Sequence, residues 1–251
     1  MSVAAEHLKR WEEGWASGRY SVLGQCFHKP AVHPLLDRFF TLLELRPGEG
    51  NQVLVPLCGK SVDMIYIADQ RVNALGLEAI SRPIDEFADL VQNEKLPADE
   101  RVLHSAAQHH WQRDSQSFVG IVEGDALCFK SDQDKGPMDA VWDRAALVAL
   151  RPEDREAYVA MLNRAVKPGG KILLCVVEHD ITVSDEDTSP YGPPYSISAD
   201  TVRNLCETSQ LNVLRELYRQ DNLESEPKWK GKGASYFLEV CYLLEKADGD
   251  N

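Results

Sequence analysis

Four segments of the 251-residue sequence place glycines and charged residues directly after apolar runs. They are Leu57-Cys58-Gly59-Lys60, Glu78, Gly124-Asp125 and Asp143-Arg144. In an open sheet of parallel strands, ligands bind outside the carboxyl ends of the strands, where the strand order reverses. If each apolar run is such a strand, we expect these residues to line one crevice.

The first two segments suit a ligand that carries a carboxylate and a ribose. Gly59 lets the backbone approach a ligand closely, and the start of the next helix offers N–H groups to an anion such as the carboxylate of a methionine moiety. Glu78 lies twenty-one residues after Leu57. A carboxylate at the end of a second strand accepts hydrogen bonds from two ribose hydroxyls. Taken alone, Gly59 also fits an ordinary turn, and Glu78 a surface charge.

The third and fourth segments complete this pattern. We expect Asp125 to hold an adenine amino group and Gly124 to let the ring approach. Arg144 is the candidate for stabilising an anionic nucleophile, and Asp143 either takes part in catalysis or only orients Arg144. The alternative for Asp143 and Arg144 is an ion pair on the surface.

Alternating strands and helices predict an α/β fold. Apolar runs predict strands at 52–57, 72–77, 118–122, 138–142 and 172–177. Helical patterns separate them, at 61–70, 84–91 and 152–166, and a further helix is predicted at 199–207. Ser61 is the expected N-cap of the first of these helices, and Lys167-Pro168-Gly169-Gly170 is the expected turn before the last strand. Such alternation favours a parallel sheet that is covered on both faces.

The C-terminal part departs from this alternation. Two further strands are predicted at 211–218 and 236–244, and no apolar pattern of helix length separates them. They should therefore pair antiparallel. The predicted fold class is α/β, with a single doubly wound, mostly parallel, Rossmann-like sheet, a C-terminal antiparallel hairpin and an N-terminal helical lid. It resembles the fold of S-adenosylmethionine-dependent methyltransferases, whereas a dinucleotide dehydrogenase would continue with parallel units.

The N-terminal segment is predicted to be helical. Residues 4–17 place Leu8, Trp11 and Trp15 on one helix face, and residues 33–45 form a second predicted helix. We expect one methyltransferase domain over the whole chain. It consists of a helical cap at 1–47, a Rossmann-like core at 48–246 and a frayed tail at 247–251.

The net charge and the cysteine content limit which binding partners and which compartment we expect. The formal net charge of −13 disfavours binding to nucleic acid or to an anionic membrane. Because the sequence has no apolar run of about 18 residues, no membrane span is expected, and residues 1–10 do not lead us to expect a secretory signal. Its six cysteines include no C-x-x-C pair, which is typical of a reducing compartment. We therefore expect a cytoplasmic monomer that acts on a small molecule.

No metal site is predicted. Adjacent His109 and His110 point to opposite faces of a strand, and no third ligand accompanies them. Cys58 is expected to pack in its loop rather than to act as a nucleophile. The G-x-G-x-x-G fingerprint of dinucleotide sites is missing after the first strand, which disfavours a nicotinamide-dependent oxidoreductase.

Several stretches resemble the thiopurine S-methyltransferase family. The two most specific are Pro56-Leu57-Cys58-Gly59-Lys60-Ser61-Val62-Asp63-Met64 and Trp142-Asp143-Arg144-Ala145-Ala146-Leu147-Val148-Ala149. Others are Trp11, Trp15, Phe27-His28, and the segments 33–36, 173–176 and 192–195. The resemblance spans roughly residues 11–244.

The resemblance implies S-adenosylmethionine as cofactor and a role for each matching position. Trp11 and Trp15 would close over the cofactor, and Phe27 would also face the substrate. Leu57 would contact the cofactor from the first loop. Glu78 would bind the ribose, and Gly124 and Asp125 would flank the adenine. Arg144 would lie near the methyl-transfer site.

The family's substrates are aromatic and heterocyclic thiols, and some bacterial members are linked to detoxification of selenium and tellurium oxyanions. This sequence departs from the family in the last hairpin, where an arginine is frequent and Lys228, Lys230 and Lys232 stand here. Lys228 is taken as the substrate-binding residue. The expected function is methyl transfer from S-adenosylmethionine to a small thiol or a related soft nucleophile. A nicotinamide-dependent oxidoreductase and a cofactor-binding protein without activity are the alternatives.

Overall fold

The computed structural model describes residues 3–21, 27–93, 108–130, 137–183 and 191–248. The chain divides into two compact units, Met1–Phe129 and Lys130–Asn251. The expected organisation as one domain, with a cap that ends at 47 and a tail that begins at 247, stays a prediction.

The first unit contains four helices and four strands among its described residues. The helices are α1 (Val3–Ala16), α2 (Pro34–Phe39), α3 (Asp63–Asp69) and α4 (Ser81–Asn93). The strands are β1 (Gln52–Pro56), β2 (Asn73–Glu78), β3 (Gln108–Gln112) and β4 (Phe118–Glu123). Short 3₁₀ turns occupy Phe40–Leu43 and Ala126–Cys128.

Strand β2 lies inside the first unit and is buried along its whole length. It pairs in parallel with β1 on one side and with β4 on the other, and β3 pairs antiparallel with β4. Pro56 lies opposite Leu77, and Glu78 lies opposite Glu123. The carboxyl ends of β1, β2 and β4 therefore reach the same edge of the sheet.

The second unit contains the other four strands. They are β5 (Met138–Arg144), β6 (Val166–His179), β7 (Leu211–Asp221) and β8 (Phe237–Lys246). Its helices are α5 (Arg155–Ala165), α6 (Ala199–Thr208) and the short α7 (Pro227–Lys230). Strand β5 pairs in parallel with β6, and β8 pairs antiparallel with both β6 and β7. The predicted C-terminal antiparallel hairpin is confirmed.

The strands are ordered β3-β4-β2-β1-β5-β6-β8-β7 in an eight-stranded sheet. Parallel pairs occupy the middle of this order, and antiparallel pairs lie towards both ends. The predicted α/β class with a mostly parallel sheet is confirmed.

Three local predictions differ from the structure. The helix expected at 33–45 changes into a 3₁₀ turn at Phe40 and ends at Glu44, whose φ is 54°. The helix expected from 61 begins at Asp63, and its N-cap is Val62. The Ser61 hydroxyl instead accepts a hydrogen bond from the Asp63 N–H at 3.3 Å. Strand β3 was not expected, because its run of Gln, His and Trp lacks the β-branched residues typical of strands.

The expected turn at 167–170 lies inside strand β6. The register of β5 with β6 jumps there from Met138–Val166 to Ala140–Lys171, so four residues of β6 face a single residue of β5. Gly169 takes a φ of 68° in this bulge. The glycines that predict a turn here therefore form a bulge between two paired parts of one strand.

Gly76, in the middle of β2, provides a test of packing under the first loop. A Cβ at this position would lie 2.5 Å from the Cys58 sulfur and 2.9 Å from the Met64 sulfur. We expect Gly76→Ala to lower the free energy of unfolding by ~1–3 kcal/mol, because overpacking a core forces its neighbours to shift. Urea unfolding measures the change.

Gly231→Ala is the matched control. Its φ is −64°, and the nearest atom to a Cβ there is 3.6 Å away. This variant should unfold like the wild type. Equal stability of Gly76→Ala and Gly231→Ala would show that Cys58 and Met64 do not pack tightly on β2.

Candidate active site

The first loop leaves β1 through a tight turn. Leu57 has a φ of 46° and Gly59 a φ of 52°, so two residues out of three take the left-handed conformation. The Cys58 N–H donates to the Leu77 carbonyl at 2.9 Å, which holds the loop against the end of β2. A left-handed leucine stores strain of order 1–3 kcal/mol. The surrounding contacts must therefore fix this conformation.

The Glu78 carboxylate stabilises this conformation of the first loop. Its carboxylate accepts the Gly59 N–H at 2.9 Å and the Ile80 N–H at 2.9 Å, and the residue is 8% exposed. Each carboxylate oxygen has a second lone pair, so the group keeps capacity for further donors. Burial raises the pKa of Glu78 to about 7, although these two N–H groups act in the opposite direction. The nearby charge of Glu123 adds to the rise of the pKa.

Gly124 and Asp125 follow the end of the neighbouring strand. The Gly124 N–H donates to the Glu78 carbonyl at 2.8 Å, and a Cβ on Gly124 would meet no atom within 4 Å. Asp125 uses Oδ1 to accept the Leu127 N–H at 2.9 Å, as the N-cap of a 3₁₀ turn. Open space beside Gly124, the half-buried Asp125 and the buried Glu78 carboxylate, with its spare lone pairs, fit an adenosyl group.

Five aromatic rings from the N-terminal part pack together, and we name them the aromatic cluster. Its members are Trp11, Trp15, Tyr20, Phe27 and His28. A Cβ on Gly59 would lie 2.5 Å from the His28 ring and 3.5 Å from the Trp15 ring. The cluster thus packs directly on the first loop. Sequence reasoning missed Tyr20, whose signal was Gly14: a Cβ there would lie 2.0 Å from the Tyr20 ring.

Lys60 joins the first loop to the same N-terminal part. Its ammonium donates to the Ser21 carbonyl at 2.7 Å and to the Glu86 carboxylate at 2.8 Å. The Ser21 hydroxyl donates to the other oxygen of Glu86 at 2.6 Å, and Arg82 Nε also reaches that oxygen, at 3.0 Å. This network was not predicted, because its members are far apart in the sequence.

Asp143, in the second unit, is fully buried. Its carboxylate accepts the Tyr158 hydroxyl at 2.7 Å and the Leu147 N–H at 3.2 Å. Burial raises its pKa to about 6. The alternative of an ion pair with Arg144 on the surface is therefore excluded for Asp143. Successive side chains of a strand point to opposite faces, so Asp143 is not aimed at the face that Arg144 lines.

Arg144 is half-buried at the end of β5 and lies opposite Cys175 of β6. Its charge acts to lower the pKa of the Cys175 thiol, although burial raises that pKa well above its usual range. The next residue, Ala145, has a φ of 64°, so the chain turns sharply after Arg144. The guanidinium group of Arg144 is thus positioned at the carboxyl end of β5.

Two lysines of the last hairpin, Lys228 and Lys232, lie over the indole ring of Trp229. Lys228 lies 3.2 Å from the Glu226 carboxylate and 5.0 Å from the centre of the Trp229 ring. Lys232 lies over two rings, 4.9 Å from the centre of Tyr191 and 5.3 Å from that of Trp229. Trp229 in turn stacks on Phe237, with 4.5 Å between the ring centres.

Two further properties concern the described residues alone. They contain no group of three or more His, Cys, Asp or Glu side chains that could hold a metal ion. His109 instead stacks on Trp111 and lies 3.7 Å from Glu123. No helix in the described ranges has the length and apolar character needed to cross a membrane.

The fold, with its buried strand-end carboxylate, is that of an S-adenosylmethionine-dependent methyltransferase. A solved structure with this fold is the Burkholderia thailandensis 1,6-didemethyltoxoflavin-N1-methyltransferase with bound 1,6-didemethyltoxoflavin and S-adenosylhomocysteine. It matches with a TM-score of 0.62 and 17% sequence identity, over 98% of this chain and 89% of that chain.

Within that class, the chain belongs to the thiopurine S-methyltransferase family, whose profile matches residues 6–247. The thiopurine S-methyltransferase of Pseudomonas entomophila is 33% identical over 94% of this chain and 98% of the relative. That of Legionella pneumophila is 35% identical over 76% of this chain and 77% of the relative. The chain is a methyltransferase with S-adenosylmethionine as cofactor, so the oxidoreductase alternative is excluded.

Tyr158→Phe tests how much the buried Asp143 stabilises the fold. The Tyr158 hydroxyl donates to the ionised carboxylate, and losing a hydrogen bond to a charged group costs ~1.5–3 kcal/mol. We expect this loss of unfolding free energy near neutral pH. It should shrink as the pH falls below about 6, because Asp143 is then protonated in both proteins. Urea unfolding across this pH range measures it.

Tyr66→Phe is the control for that variant. The Tyr66 hydroxyl donates to Asp37 at 2.9 Å near the surface. Its loss should change stability by no more than about 0.5 kcal/mol. A Tyr158→Phe protein as stable as this control at every pH would contradict a structural role for the Asp143 carboxylate.

Proposed function

We propose that the chain transfers the methyl group of S-adenosylmethionine to a small aromatic or heterocyclic thiol. Family membership over residues 6–247 is the observation that carries this proposal, since the matched relatives are named for thiopurine substrates. Selenium or tellurium compounds are a second acceptor class, because they are soft nucleophiles like thiols. We further propose that the protein is a cytoplasmic monomer.

In this proposal the first unit binds the cofactor. Glu78 accepts the ribose hydroxyls with its remaining lone pairs, and Gly124 gives the adenine room beside β4. Asp125 receives the adenine amino group on its second oxygen, because Oδ1 already accepts the Leu127 N–H. The proposed contacts to the methionine part are Leu57, Gly59, Trp11 and Trp15.

The bound cofactor supplies an electrophilic methyl group on a positively charged sulfur. The chemistry left to the protein is alignment, exclusion of water and stabilisation of the anionic acceptor. We propose that the aromatic cluster excludes water and that Arg144 stabilises the thiolate. A contact of Arg144 with the cofactor is proposed only on the family resemblance. Asp143 is proposed as a positioning residue, because its bonds to Leu147 and Tyr158 fix the end of β5.

Phe27 and Lys228 are the proposed acceptor residues. The Phe27 ring is half-buried within the aromatic cluster, 5.8 Å from Trp11 between ring centres. Lys228 is exposed and paired with Glu226 at 3.2 Å, a surface pair that an acceptor could exchange at little cost. An acceptor panel of aryl thiols, selenols and inorganic selenium and tellurium compounds tests the substrate class. Binding of the cofactor without turnover on any acceptor would overturn the proposed reaction.

Glu78→Gln tests the ribose contact. Charge-assisted hydrogen bonds are worth ~1.5–3 kcal/mol, so we expect the dissociation constant for S-adenosylmethionine to rise about tenfold or more. Wild-type affinity should also fall as the pH drops through about 7, because binding then requires ionisation of Glu78. The affinity of Glu78→Gln for S-adenosylmethionine should not change over this pH range. Calorimetry at several pH values measures both effects.

Glu49→Gln serves as the charge-matched control for this prediction. Glu49 is exposed and pairs only loosely with Arg46, at 3.5 Å. The affinity of Glu49→Gln for S-adenosylmethionine should equal that of the wild type. If Glu78→Gln behaves in the same way, the ribose binds elsewhere.

Arg144→Lys tests activation of the acceptor, because lysine keeps the charge but loses the planar, five-donor guanidinium. We expect affinity for S-adenosylmethionine to stay within a few-fold. The kcat/KM for an aryl thiol should fall roughly tenfold, or about 1.4 kcal/mol. The deficit should shrink at high pH, where the thiol ionises unaided.

Arg151→Lys is the control for Arg144→Lys. Arg151 pairs with Asp154 at 2.9 Å and has no proposed role in catalysis. Steady-state kinetics should give the same kcat/KM for this variant and the wild type. Unaltered kcat/KM in Arg144→Lys at every pH would leave Arg144 with a structural role only.

A further inference from the structure

Two residues of opposite charge in the second unit lie on one face of its strands, with a buried thiol between them. Arg144 of β5 lies opposite Cys175 of β6, which in turn lies opposite Cys241 of β8. Glu239 precedes Cys241 by two residues and lies opposite Val177. Paired residues of neighbouring strands share a face, and every second residue of a strand returns to it. All five side chains therefore line the face that Arg144 lines.

The Cys175 thiol reports the electrostatic field between these two charges. Burial raises the pKa of Cys175 well above its usual range, the charge of Glu239 adds to the rise, and the charge of Arg144 opposes it. A thiolate close to Cys175 is therefore stabilised by the guanidinium and destabilised by the carboxylate. An acceptor gains from Glu239 only if it brings a hydrogen-bond donor to the carboxylate.

The Glu239 carboxylate is oriented by the residue that follows β7. Asn222 Nδ2 donates to Glu239 Oε2 at 3.3 Å, and the Asn222 N–H donates to the Phe237 carbonyl at 2.8 Å. A carboxylate has about four lone-pair positions, so Glu239 can keep this bond and still accept a donor of a ligand. Arg144, Val177 and Glu239 are all partly exposed. A ligand from solution can therefore reach this face.

The spacing of the strands limits the size of such a ligand. Strand β6 pairs with β5 on one side and with β8 on the other, and neighbouring strands lie about 4.8 Å apart, so β5 and β8 are roughly 10 Å apart. One planar heterocycle with a hydrogen bond at each end can span this distance, since each hydrogen bond takes up about 3 Å. Val177, which packs on the buried Phe237 and Trp229, offers an apolar surface to the ring.

We propose that Glu239 selects heterocyclic acceptors in their thione form, by accepting a ring N–H while Arg144 faces the sulfur. In such a heterocycle the carbon that carries sulfur is bonded to a ring nitrogen, and the proton resides on nitrogen rather than on sulfur. This inference rests on the proposed function and names the acceptor class within it.

The proposed step balances without a further reactant. The ring N–H bond breaks, its proton goes to the Glu239 carboxylate, and its electron pair forms a carbon–nitrogen double bond in the ring. The π pair of the carbon–sulfur bond moves to the acceptor sulfur, and a pair of that sulfur forms the bond to the methyl group. The pair of the old methyl–sulfur bond stays on the donor sulfur. Loss of the proton from Glu239 to water restores the carboxylate.

The experiment compares wild type and Glu239→Gln on two acceptors of similar size, an aryl thiol and a heterocyclic thione. Glutamine keeps the shape of the side chain but cannot take the proton. The kcat/KM for the thione should fall roughly tenfold or more, because a charge-assisted hydrogen bond and the proton acceptor are both lost. The kcat/KM for the aryl thiol should stay within about threefold, because no contact to that acceptor is lost. Retained turnover of the aryl thiol also shows that the variant is folded.

Binding of the thione gives a readout that does not depend on turnover. Calorimetry is done with S-adenosylhomocysteine in place of S-adenosylmethionine, so that no methyl group is transferred. The dissociation constant of the thione should rise about tenfold in Glu239→Gln. An analogue with a methyl group in place of hydrogen on the ring nitrogen has no N–H to donate. Wild type and Glu239→Gln should therefore bind this analogue with equal affinity.

Glu178→Gln is the charge-matched control for Glu239→Gln. Glu178 follows Val177 on β6 and so lies on the opposite face, where it pairs with Arg219 at 3.1 Å. This variant should match the wild type on both acceptors.

Two results separate this inference from the proposed function. Equal losses for the thione and the aryl thiol in Glu239→Gln, or no loss for either, would overturn the role of Glu239 and leave the proposed function standing. Absence of turnover by the wild type on every acceptor would instead overturn the proposed function, while the dissociation constants would still test recognition of the N–H by Glu239.

Discussion

The bond between the Glu78 carboxylate and the Gly59 N–H is the constraint on which the rest of the first unit depends. It joins the end of β2 to a loop that two left-handed residues, Leu57 and Gly59, hold in a tight turn. A buried carboxylate is costly unless backbone donors satisfy it. The Gly59 N–H therefore stabilises the buried Glu78 carboxylate. In return, Glu78 stabilises the left-handed loop conformation, which leucine rarely adopts.

Much of the fold could be predicted, because burial on both faces of a parallel strand leaves continuous apolar runs. Strand β2 is an example, and its predicted position agrees with the structure to within one residue. The antiparallel hairpin of β7 with β8 was predicted on another ground, because no apolar pattern of helix length separates its two strands. Strand β3 could not be predicted, since it pairs on one side only and carries polar residues. The bulge at 167–170 was misread because glycines favour a turn and a bulge equally.

Candidate site residues could be predicted where a polar residue follows a strand end. Glu78 and Gly59 were predicted on that ground, and the structure brings them into direct contact. Lys60 and Tyr20 were missed, because their partners lie far away in sequence or depend on a neighbouring glycine. For Asp143, an ion pair on the surface was the alternative to a role beside Arg144, because charged side chains are mostly exposed. Its burial depends on Tyr158, a hydrogen-bond donor that no local pattern identifies.

The Lys60 network and the aromatic cluster hold the same N-terminal part in different ways. The cluster packs on Gly59 through apolar faces, whereas Lys60 binds Ser21 and Glu86 through directional hydrogen bonds. Apolar contacts tolerate small shifts of the rings. The Lys60 side chain is different, because the residue is only 8% exposed and its ammonium would be buried without acceptors if these hydrogen bonds were lost. The network therefore fixes the position of Ser21, and the aromatic cluster covers the loop that Glu78 stabilises.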